Sequence, residues 1–477
     1  MSETFSSFLA ELAATIGPAQ ISTDPNDLAP HLVEGRGLYR GTAFGLARPR
    51  DTDDVSACLW LANRHRLPVV AHGGNTGLVG GGVPRDALVL SLDRMNRIRA
   101  VDPVNLTMTV EAGAILKTVQ DAATAEGCLF PLSLGSEGSC TIGGNLSTNA
   151  GGTAVLRYGN ARELALGLEV VLADGRVLND LNRLRKNNTG YDLRNLFIGA
   201  EGTLGIITAA VLKLFPAPRV RATAWVGLDS RQAGLDLFDL VRASAGECLT
   251  GYEFMYAEGI DFVLRHIPGT RCPLDSRSPF HVLIELSSSD ASLDLAGRLE
   301  SLLGDAYERG LIGDATIAAS VAQAAALWSL REHISDAQKF EGGSIKHDIS
   351  VPVSAVVAFL DRATAACEAE LAGLRVVAFG HFGDGNIHFN LSQPVGMDKA
   401  EYLSMWDRFN RIVHDIVADL GGSISAEHGI GLIKLHELAR YKDPVALDLM
   451  ARLKATLDPH NILNPGKVLP PRQSFTA

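Results

Sequence analysis

Between residues 67 and 82 the chain reads LPVVAHGGNTGLVGGG, an apolar run that empties into a loop with six glycines in ten residues. Val69, Val70 and Ala71 have the character of a buried strand, and bare backbone at its end lets successive N–H groups converge on one point. Such a turn can be purely structural, but this density of glycine at a strand end favours a site for an anion, a phosphate or pyrophosphate above all. The spacing is neither GxGxxG nor GxxxxGK[ST], and neither pattern occurs anywhere in the chain. Nicotinamide-type and nucleoside-triphosphate folds therefore lose their main support.

Two further glycine runs follow in the N-terminal half. PLSLGSEGSCTIGGNLSTNAGG interleaves Gly135, Gly138, Gly143, Gly144, Gly151 and Gly152 with Ser136, Ser139, Thr141, Ser147, Thr148 and Asn149. Small hydroxyls beside exposed backbone suit a flat polar heterocycle that needs many neutral hydrogen bonds. NNTGYDLRNLFIGAEGTLGIIT adds Gly199, Gly202 and Gly205. The stretches 73–82, 135–152, 199–205, 380–385 and 421–431 total 52 residues and hold 22 of the 48 glycines. The remainder sits near the ordinary ~7%, so the surplus is local.

The rest of the composition narrows the class. A chain of 477 residues is long enough for two or three domains with substantial cores. Its net charge of −11 and lack of any Lys/Arg run argue against nucleic acid as a partner. Six cysteines without CxxC spacing argue against a disulfide framework and fit a reducing compartment. The first basic residue is Arg36, unlike a signal or transit peptide, and no apolar run reaches the ~18–20 residues of a membrane span, so a cytoplasmic protein is expected. Up to about residue 215 helical patterns alternate with short strand-like runs, and FPAPRVRA then breaks the pattern. Beyond it the texture predicts helices over about 289–303 and 317–340, strands near 281–287, 344–351 and 375–392, and a helix pair from Leu435.

The three N-terminal loops, in this order, resemble the FAD-binding domain of the vanillyl-alcohol oxidase (PCMH-type) flavoproteins, in the D-2-hydroxy acid dehydrogenase branch and closest to the D-2-hydroxyglutarate dehydrogenases. The C-terminal motifs extend the likeness over nearly the whole chain. It implies an α+β fold: a PCMH-type FAD-binding domain of two α/β subdomains over 1–217, a cap domain over 218–436 built on an antiparallel sheet flanked by helices, and helices over 437–477 that return to the FAD domain. It implies that Gly73, Gly74, Asn75, Thr76, Gly77, Leu78, Gly80 and Gly81 cradle the pyrophosphate. Ser136, Gly138, Ser139, Gly143, Gly144, Thr148, Asn149, Gly151 and Gly152, with Gly202 and Ile207, would line the adenine and isoalloxazine parts. Several relatives tether FAD through a histidine just after the paired glycines; Asn75 stands there in this chain, so non-covalent FAD is expected. Asn464 of ILNPGK reads as a turn residue before Pro465, and the resemblance brings it toward the flavin.

The second half carries VVAFGHFGDGNIHFNLS. Asp384-Gly385-Asn386 is a hairpin turn signal, with His381 ending one strand and His388 on the next, where His388 and Asn390 share a face. SAEHGIG follows, with Glu427 and His428 among glycines. Two imidazoles and a carboxylate without a thiolate make an open, catalytic-type divalent site. Thirteen histidines also produce near-pairs by chance, so the spacing leaves both readings open. The resemblance implies His381, His388 and Glu427 as metal ligands, zinc in the first place and manganese as the alternative. It assigns His428 to the substrate site, where a neutral imidazole suits a general base; holding Glu427 in place is the other reading.

A helix over Ile317–Phe340 would put Val321, Ala324, Trp328, Arg331 and Ser335 on one stripe. A guanidinium on a buried face needs an anion, either an internal Asp or Glu or a substrate carboxylate held by the planar fork. In SIKHDIS, Lys346 faces away from Ile345, His347 and Ile349. The resemblance places Arg331, Ser335, Lys346 and Asn390 in the substrate pocket, with serine where the relatives have threonine. The expected activity is oxidation of a D-2-hydroxy acid by hydride transfer to flavin, D-2-hydroxyglutarate to 2-oxoglutarate first and D-lactate as the alternative. The expected external acceptor is a quinone or an electron-transfer flavoprotein, with homodimerisation left open. A flavin-independent metallohydrolase would leave all three glycine loops unexplained.

Overall fold

The computed structural model describes residues 3–470. They divide into two compact units: residues 3–152, 159–217 and 427–470 form the first, and residues 153–158 and 218–426 the second. The return to the first unit thus begins at Glu427, ten residues before the boundary expected at 437, and a six-residue excursion, 153–158, groups with the second unit.

In the first unit a small mixed sheet runs in the order Ile21–Ser22, Thr42–Ala47, Arg85–Ser91, Val69–His72, its last three strands parallel. The crossover into Val69–His72 is the helix Thr52–His65, capped by the Asp51 carboxylate and ended by Arg66 in the left-handed region. Val55, Cys58, Leu59, Leu61 and Ala62 on its inner face are buried. A five-stranded antiparallel sheet follows, in the order Ile98–Asp102, Thr107–Glu111, Ile206–Lys213, Ala165–Val171, Val177–Asp180. Two buried acids on it are neutralised in place. Arg97 and Arg99 clamp Glu111, while Arg99, Thr52 and Thr208 hold Glu169. The C-terminal return docks beside the glycine-loop strand, where Leu463 bridges Val69 in parallel and the Asn464 N–H donates to the Val69 carbonyl at 2.8 Å.

The second unit is built on a seven-stranded antiparallel sheet, in the order Asp314–Ile317, Val220–Leu228, Phe280–Ser288, Leu249–Tyr256, Arg375–His381, Asn386–Ser392, Ser344–Ser350. Trp225, Met255, Phe262, Leu283, Leu330, Ile334, Val377 and Phe379 form a buried cluster between this sheet and its helices. Two helices depart from the sequence reading. The one expected over 289–303 spans Leu295–Glu308, because Asp290 holds Ser292 in a side-chain turn and Asp294 caps the helix instead. The one expected over 317–340 begins at Val321 and ends at Glu332; Ile334–Ala337 is a separate short helix, and Asp314–Ile317 is an edge strand. His333 makes the break, its Nδ1 bonding the Ser329 carbonyl at 2.8 Å. The stripe shifts accordingly: Val321 is exposed, while Leu327, Leu330 and Arg331 are buried.

Candidate active site

The first unit contains a cleft with about 1040 Å³ of empty space including its open mouth. Its floor is the glycine loop: Gly73, Gly74, Asn75, Thr76, Gly77 and Gly81 line it, and the strand end contributes Ala71 and His72. The loop needs glycine for close approach. A Cβ on Gly73 would lie 2.1 Å from Thr141 Oγ1, and one on Gly74 would lie 2.0 Å from the Ser139 carbonyl. Leu78 and Gly80 do not line the cleft. The Leu78 carbonyl accepts from Arg36, and Gly80 turns the loop at φ +71°.

The opposite wall is the short helix Ile142–Thr148, with Gly143, Gly144, Asn145, Ser147 and Thr148 on the cleft. Ser136, Gly138 and Ser139 lie in the turn before it, off the cleft. Asn149 ends the helix in the left-handed region and accepts the Arg162 N–H. Gly151 and Gly152 also stay off the cleft; the Gly152 N–H donates to Glu427 Oε1 at 2.6 Å. Gly202, Ile207, Asn464 and His428 complete the wall.

Among the described residues no lysine or arginine lines this cleft, so an anion there is held by backbone N–H groups and hydroxyls. Two buried amides on it are unspent. Asn464 donates Nδ2 to the carbonyls of Gly81 and Glu201, at 2.9 and 2.8 Å, which fixes the amide and leaves Oδ1 without a partner. Asn145 Nδ2 is likewise unpartnered. An unpartnered acceptor and an unpartnered donor on residues of a glycine-walled cleft fit a heterocycle bearing both kinds of group, as isoalloxazine does. Glu201, missed by the sequence reading, accepts the N–H groups of Ile430 and Gly431 at 2.7 and 2.9 Å. Burial pushes its carboxyl above the usual range. A buried acid inside GAEGTLG was the available signal.

In the second unit one face of the sheet carries the other candidate residues. Strand register sets His381 opposite Glu253 and Asn386, Phe379 opposite His388, His388 opposite Asp348, and Lys346 opposite Asn390. The imidazoles of His381 and His388 lie 5.8 Å apart, centroid to centroid. His381 Nδ1 is 2.6 Å from Glu253 Oε1, and His388 Nδ1 is 3.8 Å from Asp348 Oδ1. Two neighbouring imidazoles, one of them hydrogen-bonded to a carboxylate and the other beside one, have the donor chemistry of a site for a borderline divalent cation such as zinc.

Arg331 meets an internal carboxylate. Its Nε donates to Glu253 Oε2 at 2.8 Å, and its guanidinium lies 4.8 Å from the Phe379 ring centroid. Among the described residues its two terminal Nη groups make no hydrogen bond, so the fork remains available. Glu253 is fully buried; desolvation opposes its charge, yet His381 and Arg331 together hold its carboxyl down at about 2. Asn390 gives Nδ2 to Gln338 at 3.0 Å. Ser335 lies half-buried in the second short helix. Neither Glu253 nor Asp348 was picked out from the sequence, though an acid inside the apolar strand LTGYEFMY signals a buried charge that needs a partner.

Residues 217–468 match the family described as FAD linked oxidases, C-terminal domain, and residues 44–180 match the FAD binding domain. The chain is 41% identical to the mitochondrial D-2-hydroxyglutarate dehydrogenase of Bos taurus, over 95% of this chain and 82% of that protein. It is 37% identical to the D-2-hydroxyglutarate dehydrogenase of Xanthomonas citri pv. viticola, over 96% of each. The structure of p-cresol methylhydroxylase with substrate bound superposes with a TM-score of 0.75 at 17% identity, covering 98% of this chain and 97% of that one. The fold is the PCMH type that the glycine loops predict. Among the described residues no helix is long and apolar enough to cross a membrane.

Proposed function

Since the chain belongs to the FAD-linked oxidase family and is an FAD-dependent D-2-hydroxy acid dehydrogenase, we propose that its substrate is D-2-hydroxyglutarate, oxidised at C2 to 2-oxoglutarate. The observation that carries this choice is Arg331: a buried guanidinium on the helix Val321–Glu332, tied through Nε to Glu253 with its Nη fork unspent, against the sheet face that bears His381 and His388. Such a fork binds a carboxylate bidentately. A diacid supplies that second carboxylate and lactate does not, so a desolvated fork left empty penalises the short substrate.

Bound FAD supplies the acceptor for the hydride from C2, and a bound divalent cation supplies Lewis acidity toward the substrate's α-hydroxyl. The residues do the rest. In the first unit the loop Gly73–Gly82 binds the pyrophosphate through backbone N–H groups, and Asn464 and Asn145 orient the ring system. His428, on the wall of the same cleft, takes the hydroxyl proton on its imidazole. In the second unit His381 and His388 are the cation's imidazole ligands. Arg331 holds the distal carboxylate, with Ser335, Lys346 and Asn390 as its polar surroundings. The electron acceptor after reduction is an external quinone or electron-transfer flavoprotein.

The test is anaerobic bleaching of the flavin by a panel of D- and L-2-hydroxy acids. Fastest bleaching by D-2-hydroxyglutarate supports the reading. Equal or faster bleaching by D-lactate would transfer the assignment to a monocarboxylate, and a response only to L-acids would overturn the stereochemistry.

A further inference from the structure

Glu253 touches two groups that the proposed chemistry uses separately. It lies on the strand Leu249–Tyr256, in direct register with His381 of the neighbouring strand, and the helix Val321–Glu332 brings Arg331 to its other oxygen. The contacts divide cleanly, Oε1 to His381 Nδ1 at 2.6 Å and Oε2 to Arg331 Nε at 2.8 Å. An ionised carboxylate can only accept, so His381 must carry its proton on Nδ1, and its lone pair then resides on Nε2. By the same logic the Nε contact fixes the guanidinium plane and leaves the Nη edge facing away from Glu253.

We propose that Glu253 is a positioning residue that couples cation binding to recognition of the substrate's distal carboxylate, by fixing the tautomer of His381 with one oxygen and the plane of Arg331 with the other. This rests on the reading of His381 as a cation ligand and Arg331 as the carboxylate clamp. Carboxylates that orient a ligating histidine in this way typically account for ~10- to 100-fold in metal affinity. Here the same carboxylate also sets the clamp, so one substitution should move two observables that otherwise have no reason to change together.

Glu253→Gln separates them from mere stability. The amide is isosteric but offers one acceptor and one donor, so if its oxygen keeps His381, its NH2 opposes the Arg331 Nε–H. Metal-stripped parent and E253Q proteins, both loaded with FAD, are titrated with zinc against a chromogenic chelator. Selectivity, as the ratio of kcat/KM for D-2-hydroxyglutarate to that for D-lactate, is measured on the zinc-restored proteins. The expected result is zinc affinity weakened about tenfold or more, a selectivity ratio that falls, and unchanged flavin content. Zinc affinity within twofold of parent together with an unchanged ratio overturns the role of Glu253 alone. Parent protein that binds no zinc overturns this inference and the cation reading together. If E253Q does not yield folded, flavin-loaded protein, the tautomer is read in the parent by NMR of 15N-labelled histidine. Nε2-protonated His381 would refute the coupling.

Discussion

His72 Nδ1 lies 3.1 Å from His31 Nδ1, while His72 Nε2 donates to the Gly82 carbonyl. A carbonyl only accepts, so Nε2 carries the His72 proton and Nδ1 accepts from His31. The His72–Gly82 bond joins the two ends of the glycine loop, and His31, from the helix Pro25–Leu32, holds the His72 ring.

A pH dependence follows from that arrangement. Burial holds the folded pKa of His72 down to about 4, below the ordinary 6.5, and lowers that of His31 as well. Between these values the unfolded chain binds a proton that the native His72 refuses, so stability is present above pH 6.5 and is lost as pH falls toward 4. The slope is about 1.4 kcal/mol per pH unit for one such proton. His72→Gln, whose Nε2 can still donate to Gly82, should flatten the acid limb of urea unfolding between pH 6.5 and 5 by about one proton. An unchanged limb would mean that His72 is not the group responsible.

Glycine in the loop is predicted to be required at Gly74 and dispensable at Gly138. A Cβ on Gly74 meets the Ser139 backbone carbonyl, which has no rotamer to escape into, whereas one on Gly138 meets nothing within 4 Å. Gly74→Ala should destabilise by on the order of 1–3 kcal/mol and lower flavin content. Gly138→Ala should leave both unchanged, as read from the ratio of flavin to protein absorbance. Flavin loss in Gly138→Ala would instead return that residue to the cofactor site, as the resemblance has it.

Arg331→Ala removes the clamp and also strands the buried Glu253. Breaking a buried pair costs about 3–5 kcal/mol, so melting should drop for that reason alone. The diagnostic quantity is therefore the comparison between substrates. kcat/KM should fall by about two orders of magnitude for D-2-hydroxyglutarate and far less for D-lactate. A common factor for both would remove the distal-carboxylate role.

How much of this was legible depended on the range of the interaction. Glycine clustering is local, so the cleft's floor could be read from Gly73–Gly81, and the two-residue period of a strand put His388 and Asn390 on one face and turned Lys346 away from Ile345 and Ile349; only the register sets Lys346 opposite Asn390. Glu253 was beyond reach because it lies 128 residues from His381 and 78 from Arg331 along the chain. Only the strand order joins them, and that order is a tertiary outcome. The break at His333 was hidden for a different reason: no glycine or proline marks it, only a ring nitrogen competing for the Ser329 carbonyl. Ser136, Gly138 and Ser139 match the motif but are not among the residues that line the cleft, a distinction that composition does not encode.

Chelation tests the cation directly. If His381 and His388 hold a metal needed for turnover, stripping it should abolish oxidation of D-2-hydroxyglutarate while the flavin spectrum stays intact, because the cleft lining includes neither histidine. Zinc or manganese added back should restore the rate. Full activity in metal-free protein would remove the cation from the mechanism.

Asn464→Asp should cost flavin affinity through geometry rather than lost contact. The native amide gives Nδ2 to two backbone carbonyls, those of Gly81 and Glu201, and leaves Oδ1 a buried acceptor without a partner on a residue that lines the cleft. A carboxylate of the same shape cannot donate to either carbonyl, and it adds a negative charge in a buried setting, a penalty of about 1–3 kcal/mol or more. The side chain must therefore rotate or become protonated, and a protonated acid can satisfy only one of the two carbonyls. FAD retention through gel filtration should drop about tenfold or more, by the same energy, with a dependence on pH added to the parent's own. Asn464→Ala removes the acceptor without the repulsion and should lie between the two. Equal retention in all three proteins would show that this acceptor does not meet the flavin.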